Sequence, residues 1–262
     1  MKKIFEIFKL GFRKTYMYRF DFFAMYLGII APTIINFFVW NTIFSENNQE
    51  TMYTYSYYQM IAYTIMSGIL SVATEASFKY SVVEDIRLGT LSNYIVKPIN
   101  YLKYQYIINL STRIIPIATS FFMALLLIEI LNTKQKVFNF VFFVFSTIGA
   151  IFLNYLFYSI ISVIGFWTVK LNYFISTIGM AINILCGGLI PIEVFGKTFI
   201  KIMRYLPFEY IVYFPANIIL GRLDIEETFF GCIIQVIWIF VFTFITNVIW
   251  KKGISKFQAV GN

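Results

Sequence analysis

Six apolar segments alternate with shorter polar stretches along the chain, and each is close to or longer than the ~20 residues that cross a bilayer as a helix. Charged residues are nearly absent within these segments, so burial in lipid accounts for them better than burial in a soluble core. The pattern predicts an all-α integral membrane protein with a single transmembrane domain. The predicted transmembrane helices are residues 22–44, 57–74, 106–131, 137–168, 171–192 and 228–250.

Residues 1–20 carry a different pattern. Ile4, Phe5, Phe8 and Phe12 recur at roughly helical spacing, and Lys and Arg fill many of the positions between them. An apolar face opposite a basic face is typical of a helix that lies in the membrane interface. We therefore predict an N-terminal amphipathic interfacial helix; the simpler alternative is a basic flank of the first span.

Residues 75–105 separate the second and third spans and include the charge-bearing stretch VVEDIRLGTLSNYIVKPIN. A polar loop of this length between two spans is either a tether or a contact surface for a partner in the water, and we interpret it as a contact surface. We expect Gly89 to end a short helix and Thr90 to cap the next one, while Pro98 stiffens the exit.

The Lys and Arg residues of the flanks predict the orientation in the membrane. Fourteen lie in flanks on the side of the termini and of residues 75–105, six lie on the other side, and Arg113 falls inside the third span. Loops rich in Lys and Arg stay in the cytoplasm. Both termini and residues 75–105 are therefore predicted to be cytoplasmic, as an even number of spans requires.

Residues 193–222 are apolar, but Pro207 and Pro215 break them into stretches too short to cross a membrane, and Gly221 ends the second stretch. So apolar a loop is poorly suited to water. We predict a re-entrant extracellular helical hairpin, buried against the spans so that protein groups satisfy its broken backbone. An ordinary surface loop is the alternative.

Composition supports lipid as the main solvent and excludes several classes of site. The chain is 59% hydrophobic and 13% charged, whereas soluble domains are ~25% charged. Its net charge of +8 lies mostly in the flanks of spans, which indicates topology and contact with anionic membrane lipids rather than nucleic acid. There is no His, and Cys186 and Cys232 lie in apolar runs, so we expect no metal site and no His-based catalytic triad.

Two further patterns bear on energy coupling. PIEVFGKT, residues 191–198, ends like a phosphate-binding loop, but Pro191 replaces the leading Gly that such a loop needs. No carboxylate lies at the middle of a span, which argues against a proton- or sodium-coupled carrier.

The remaining polar residues within the spans have simple structural explanations. Arg113 is expected to snorkel to the cytoplasmic face. The Asn and Gln residues within spans most simply hydrogen-bond one helix to another.

The order of residues in 84–100 resembles that of the membrane subunits of type-2 ABC exporters. Those carry an acidic-basic run, then Gly-Thr-Leu, then a few apolar residues and a Pro, just after the second span. The matching residues here are Glu84, Asp85, Arg87, Gly89, Thr90, Leu91 and Pro98. The basic start, six spans and Pro-broken hairpin extend the likeness across nearly all of the chain. Ser92–Asn93 departs from it, because many relatives place an acidic residue there.

This resemblance implies a permease subunit of the bacterial plasma membrane that is not itself an enzyme. It would pair with a second copy or a paralogue. Each permease would dock on an ABC ATPase subunit through the seven residues above, with the N-terminal helix as a second contact. ATP and magnesium would be bound by the ATPase, and no cofactor by this chain.

The resemblance also implies a cargo route lined by the first, second and fifth spans, with Asn36, Gln59 and Asn183 as its polar points. The surrounding aromatic and aliphatic wall favours efflux of a hydrophobic or amphipathic compound, such as a drug or an antimicrobial peptide, with resistance as the result. Two alternatives stay open. One is a lipid or glycan exporter, and the other is a sensory or assembly membrane protein that binds a partner without transport.

Overall fold

The computed structural model describes residues 2–17, 19–47, 51–168 and 171–257. Most of these residues are helical, and a short antiparallel strand pair, β1 (Thr51–Met52) and β2 (Tyr55–Ser56), joins the second helix to the third. The helices are α1 (Lys2–Met17), α2 (Arg19–Asn47), α3 (Tyr57–Thr74), α4 (Lys79–Arg87), α5 (Ser92–Ile95), α6 (Tyr101–Thr112), α7 (Ile114–Ile130), α8 (Lys136–Val163), α9 (Asn172–Leu185), α10 (Lys197–Met203), α11 (Tyr213–Ile219) and α12 (Ile225–Lys256). Single 3-10 turns at Ile164–Phe166 and Ile192–Phe195 follow α8 and α9.

Four helical stretches among the described residues are long and apolar enough to cross a membrane, and α6 with α7 makes a fifth if the bent pair is one span. The four are Tyr26–Glu46, Tyr57–Arg87, Lys136–Phe166 and Ile225–Lys256. These confirm the all-α membrane fold. Helix α1 covers most of the predicted interfacial helix, and α3 has the bounds predicted for the second span.

The predicted third span, residues 106–131, is broken rather than continuous. Helix α7 starts at an angle of 52° to α6. Pro116 lies in the first turn of α7, so it has no N–H for the Thr112 carbonyl, and its ring would clash with that carbonyl in a straight helix. Arg113 at the break is only 6% exposed and pairs with Glu75 (Nη2–Oε2, 3.0 Å), the first residue of the segment predicted to be cytoplasmic. Snorkelling of Arg113 to the cytoplasmic face stays a prediction.

The predicted fifth span, residues 171–192, contains only the 14-residue helix α9. Such a helix rises roughly 21 Å, less than the ~30 Å hydrocarbon thickness of a bilayer. After α9 the chain turns at Gly187, which has φ +73°, and reaches Ile192 without a helix. A count of six transmembrane helices therefore stays a prediction. Lys170, the predicted boundary residue, lies outside the described residues.

Helix α3 forms the centre of the bundle. Met60, Tyr63, Met66 and Leu70 are fully buried at helical spacing, because α3 packs against α2, α7, α8 and α11. Helix α2, in contrast, exposes Ile34, Ile35 and Phe38 along most of its length. Apolar side chains facing acyl chains carry no hydrophobic penalty, so exposure of this helix is compatible with a membrane setting.

Helices α8 and α12 form the most extensive helix pair, and a glycine allows their close approach. A Cβ atom at Gly149 would lie 2.8 Å from the side chain of Gln235. Gln235 Nε2 donates to the Ser146 carbonyl (2.9 Å) and to the Tyr210 carbonyl (3.0 Å). The prediction that in-span amides join helices is confirmed for Gln235.

The connections between helices gather at two opposite ends. At one end, the ring of Tyr101 stacks on Trp250 at 5.5 Å, and Phe166 contacts both Trp250 and Phe257. Helix α1 packs along α6 at this end. The strand pair and residues 193–222 meet at the other end, through contacts described below, and Thr133 of the α7–α8 connection lies beside Gly221 there. The segments predicted to be cytoplasmic are thus together in space.

Residues 193–222 fold as two short helices against the bundle. Pro207 lies between α10 and α11, and every residue from Glu209 to Leu220 is buried. Pro215 does not break the second stretch; it lies in the first turn of α11, where a missing N–H costs nothing. Gly221 follows the last turn with φ +65°, a conformation suited to glycine.

We predict that Gly149→Ala lowers the stability of the bundle by about 1–3 kcal/mol, because the added methyl displaces Gln235 from its two carbonyl partners. Unfolding in detergent measures the change. Gly28→Ala in α2 is the matched control, since a Cβ there meets no atom within 4 Å. Equal stability of the two variants would show that α8 and α12 do not need this close approach.

Candidate functional site

The loop after α3 folds as a helix and a tight turn. Helix α4 ends at Arg87, and Gly89 follows in a left-handed conformation with φ +74°, so the prediction that Gly89 ends a short helix is confirmed. Thr90 does not cap α5. That helix has Leu91 at its N-cap with no side-chain hydrogen bond, while the Thr90 hydroxyl instead donates to Asp85 Oδ1 (2.7 Å). A carboxylate acceptor within reach favours that geometry over the cap.

Asp85 ties this turn to the helix bundle. Its second oxygen, Oδ2, accepts from the Tyr101 hydroxyl at 2.6 Å, and Gln105 Nε2 donates to the same hydroxyl oxygen at 2.9 Å. The Tyr101 ring lies parallel to Trp250 of α12, with an interplanar angle of 7°. Asp85 therefore connects the loop to α6, and through Tyr101 to α12.

The other predicted docking residues differ in exposure. Glu84 and Arg87 are exposed and form only a weak pair (Oε1–Nη2, 3.7 Å), so both side chains are available to a partner. Thr90 and Pro98 are also exposed. Leu91 is fully buried and belongs to the core instead. The free polar surface of the loop is thus centred on the last turn of α4.

Helix α1 lies beside this region. It packs along α6, where Gly11 approaches Ser111 so closely that a Cβ would overlap the Ser111 hydroxyl. Ile4, Phe5 and Phe12 are exposed on the outer face. An apolar face directed away from the bundle is what an interfacial helix presents to lipid.

Two of the three predicted polar points on the cargo route meet at one cavity. A cavity of about 280 Å³ between α2, α3 and the end of α9 is lined by Asn36 and Asn183 among others. Asn36 donates to the Leu189 carbonyl (3.1 Å), and Asn183 accepts from the Ser71 hydroxyl (3.3 Å). Gln59 is elsewhere: with Ser56 it forms the capping box that starts α3.

A buried charge cluster holds the opposite end together. Arg222 Nη1 donates to Glu193 Oε1 (2.9 Å) and Asn217 Oδ1 (2.7 Å), and its guanidinium lies 3.3 Å from the centroid of the Tyr55 ring. The Tyr213 hydroxyl also donates to Glu193. The cluster joins the strand pair, the turn after α9 and helix α11 to the start of α12.

A second acidic group at this end, Glu209, is buried and forms no salt bridge within the part of the chain that the structure describes. Glu209 is 7% exposed, and its Oε2 has no hydrogen-bond partner among the described residues. Burial raises its pKa to about 8, although Arg204 nearby acts in the opposite direction. A carboxyl group in such a place holds its proton near neutral pH.

Comparison with known families decides the identity of this architecture. The model of a family described as ABC-2 family transporter protein matches residues 30–261. The chain belongs to this family. No curated protein and no solved structure matches the chain. The protein is therefore a multi-pass membrane permease of an ABC transporter, a transmembrane component that is not itself catalytic, and its family implies association with an ABC ATPase subunit.

The sequence motif located the turn around Gly89 but not the partners of its side chains. Asp85 holds the loop to the bundle through Tyr101, 16 residues later, and no local sequence pattern indicates that contact. Arg222 and Glu193 are 29 residues apart in the sequence, so their ion pair is recognisable only in the folded structure. Pro116, in contrast, was a readable signal for the break at Arg113.

We predict that Asp85→Ala loosens the loop of the permease, because it removes the acceptor for both Thr90 and Tyr101. Hydrogen bonds to a charged group contribute about 1.5–3 kcal/mol each, so the amides of residues 88–96 should exchange with deuterium at least roughly tenfold faster. Glu84→Ala is the matched control, since its weak exposed pair contributes little. Equal exchange in both variants would contradict the role given to Asp85.

A second prediction for the permease concerns pH. The pKa of Glu209 is raised from 4.5 to about 8 in the folded protein, so the unfolded chain releases this proton at a lower pH than the folded one. Stability contributed by the protonated group is present below the ordinary pKa and is lost as pH rises toward 8. Glu209→Gln should flatten the fall in unfolding temperature over this window. Glu226→Gln, at an exposed site, should leave it unchanged.

Proposed function

We propose that the permease is one subunit of an ATP-driven exporter, in which it pairs with a second copy or a paralogue and each permease binds one separate ATPase. The observation that carries this proposal is the loop of residues 75–105. It presents Glu84 and Arg87 to water on a turn that Asp85 fastens to the bundle. A surface both exposed and braced is suited to receive force from a soluble partner.

In this proposal ATP and magnesium bind to the ATPase, and closure of the paired ATPases pushes on the last turn of α4. Helix α1 provides a second contact from the interface. The proposal places both termini in the cytoplasm of a bacterial cell. It is supported by the excess of Lys and Arg in these flanks and by the gathering of α1, residues 75–105 and the end of α12 at one end of the bundle.

The cargo route of the proposed exporter follows α2, α3 and α9. The cavity at Asn36 and Asn183 lies between these elements, and the exposed apolar face of α2 is available for the second permease to close the route. Apart from the amides and hydroxyls, the wall is aliphatic. We therefore assign hydrophobic or amphipathic cargo, the class that includes drugs and antimicrobial peptides.

In the same proposal, residues 193–222 are the re-entrant hairpin that closes the outer end of the route, and the Arg222 cluster holds this hairpin in place.

The proposal is tested by co-purification of the permease with the ABC ATPase encoded nearest to it. Glu84→Lys and Arg87→Glu should each weaken the complex at least about tenfold, because each replaces a contact with a repulsion inside the interface. Glu226→Lys makes the same charge change at the opposite end and should leave binding unchanged. If both loop variants retain the ATPase as the unaltered permease does, docking lies elsewhere and the proposed role of the loop is wrong.

A further inference from the structure

A second cavity lies next to the one at Asn36, nearer to the docking loop. It has a volume of about 350 Å³, within the range of small-molecule sites. Its walls come from the end of α3, the start of α4, the middle of α8 and one face of α9. Ser71 and Asn183 line both cavities, so the two adjoin along α3 and α9.

The inner cavity is lined by a buried ammonium group that has no acidic side chain in contact with it among the described residues. Lys79 is 8% exposed, and no carboxylate among the described residues lies within salt-bridge distance of its Nζ atom. That atom instead lies 4.6 Å from the ring centroid of Tyr158 and 5.4 Å from that of Tyr80. Ring faces attract a cation, but they accept none of its three N–H donors as an oxygen would.

The other charged side chain at this cavity contacts an arginine rather than Lys79. Glu75 lines the wall, and its Oε2 lies 3.0 Å from Nη2 of Arg113. Glu75 therefore acts on Lys79 only from a distance, and no carboxylate oxygen of the described residues contacts the ammonium group. A buried ammonium is costly without an anion, so this cavity favours a ligand that supplies one.

The adjoining cavity determines what the rest of the ligand is like. Its lining includes Ile29, Pro32, Val72 and Leu189, and it contains no charged residue. On the α9 side, Ser176 and Met180 are exposed, so the inner cavity is open to its surroundings there. A ligand that fills both cavities has an anionic headgroup beside Lys79 and an uncharged tail toward Asn36.

We propose that the permease binds an amphiphile with one anionic headgroup, a phosphate or a carboxylate, whose charge is received by Lys79. This inference rests on the proposed function, because it names the chemical class of the cargo. The binding itself needs no ATPase. The test can therefore fail while the docking result stands, or succeed while docking fails.

The experiment measures equilibrium binding of radiolabelled dodecyl phosphate to the full-length permease in phosphatidylcholine nanodiscs. Saturable binding is expected, with competition from unlabelled dodecyl phosphate but not from dodecyltrimethylammonium. Lys79→Gln should weaken binding about tenfold or more, as loss of a charge-assisted hydrogen bond predicts. Lys79→Arg should bind nearly as well as the unaltered protein. Unchanged binding in Lys79→Gln, or equal competition by the cation, would overturn the proposal.

Lys97→Gln is the matched control. Its Nζ also lies 5.4 Å from a tyrosine ring, that of Tyr94, but the residue is exposed and outside the cavity. Its binding should equal that of the unaltered protein. If Lys79→Gln does not fold, Ser176→Trp decides the question. This exposed wall position can take a larger side chain that fills the cavity, so binding should be lost while the fold is kept.

A last arm separates a transported compound from a resident membrane lipid, which share this headgroup chemistry. Nanodiscs doped with phosphatidylglycerol are titrated with the same probe. Competition by the lipid at Lys79 assigns the site to an anionic lipid, and undiminished probe binding assigns it to a single-chain amphiphile. Either result supports the anionic site, whereas probe binding that is non-saturable in both membranes contradicts it.

Discussion

Inside a bilayer, a carbonyl released at the end of a helix finds a hydrogen-bond donor only within the protein. Polar side chains of this permease meet that constraint at three breaks in its helices. The donor and carbonyl pairs are Arg113–Val72, Asn154–Thr74, Tyr63–Gly187, Asn36–Leu189, Gln235–Tyr210 and Trp238–Tyr205. In this way, carbonyl groups at the end of α3, in the turn after α9 and in the turn between α10 and α11 all receive a hydrogen bond. Short broken helices such as α9 and α11 depend on these bonds to persist in an apolar setting.

The same constraint explains how far the sequence predicted the fold. Apolar length and periodicity located the helices, because those signals are local and each helix satisfies its own backbone. The bounds of α3 agree with the prediction for that reason. The shortness of α9 is different, because it depends on donors supplied from other helices, and such donors are recognisable only when the helices are packed. Asn36 illustrates the difference between local and packed signals. Its predicted place on the cargo route is compatible with the cavity that it lines, but no sequence pattern indicated that its amide donates to the Leu189 carbonyl.

The candidate site was predictable to the same degree. The motif around Gly89 identified a turn with exposed polar residues, and Glu84, Arg87 and Gly89 have the exposure and conformation that such a turn requires. Leu91 and Asp85 are different, because one is buried in the core and the other is bonded to Tyr101. A linear motif mixes residues that face a partner with residues that hold the turn in place. Only the fold separates the two groups, and here it assigns Asp85 to the second.

Helix α4 brings the proposed docking surface and the proposed cargo cavity onto one rigid element. It is nine residues long, so its ends are roughly 13 Å apart. Lys79 is at its first turn beside the inner cavity, and Glu84 and Arg87 are at its last two turns in water. The Lys79 carbonyl accepts from Ser162 of α8 (3.1 Å), and Asp85 holds the other end of α4 to Tyr101 of α6. A push at the last turn that displaces α4 as a rigid body would therefore also move the ammonium group relative to Tyr158. On the proposed assignments, ATP-driven movement and release of an anionic headgroup are then coupled through a single short helix, without any longer pathway through the bundle.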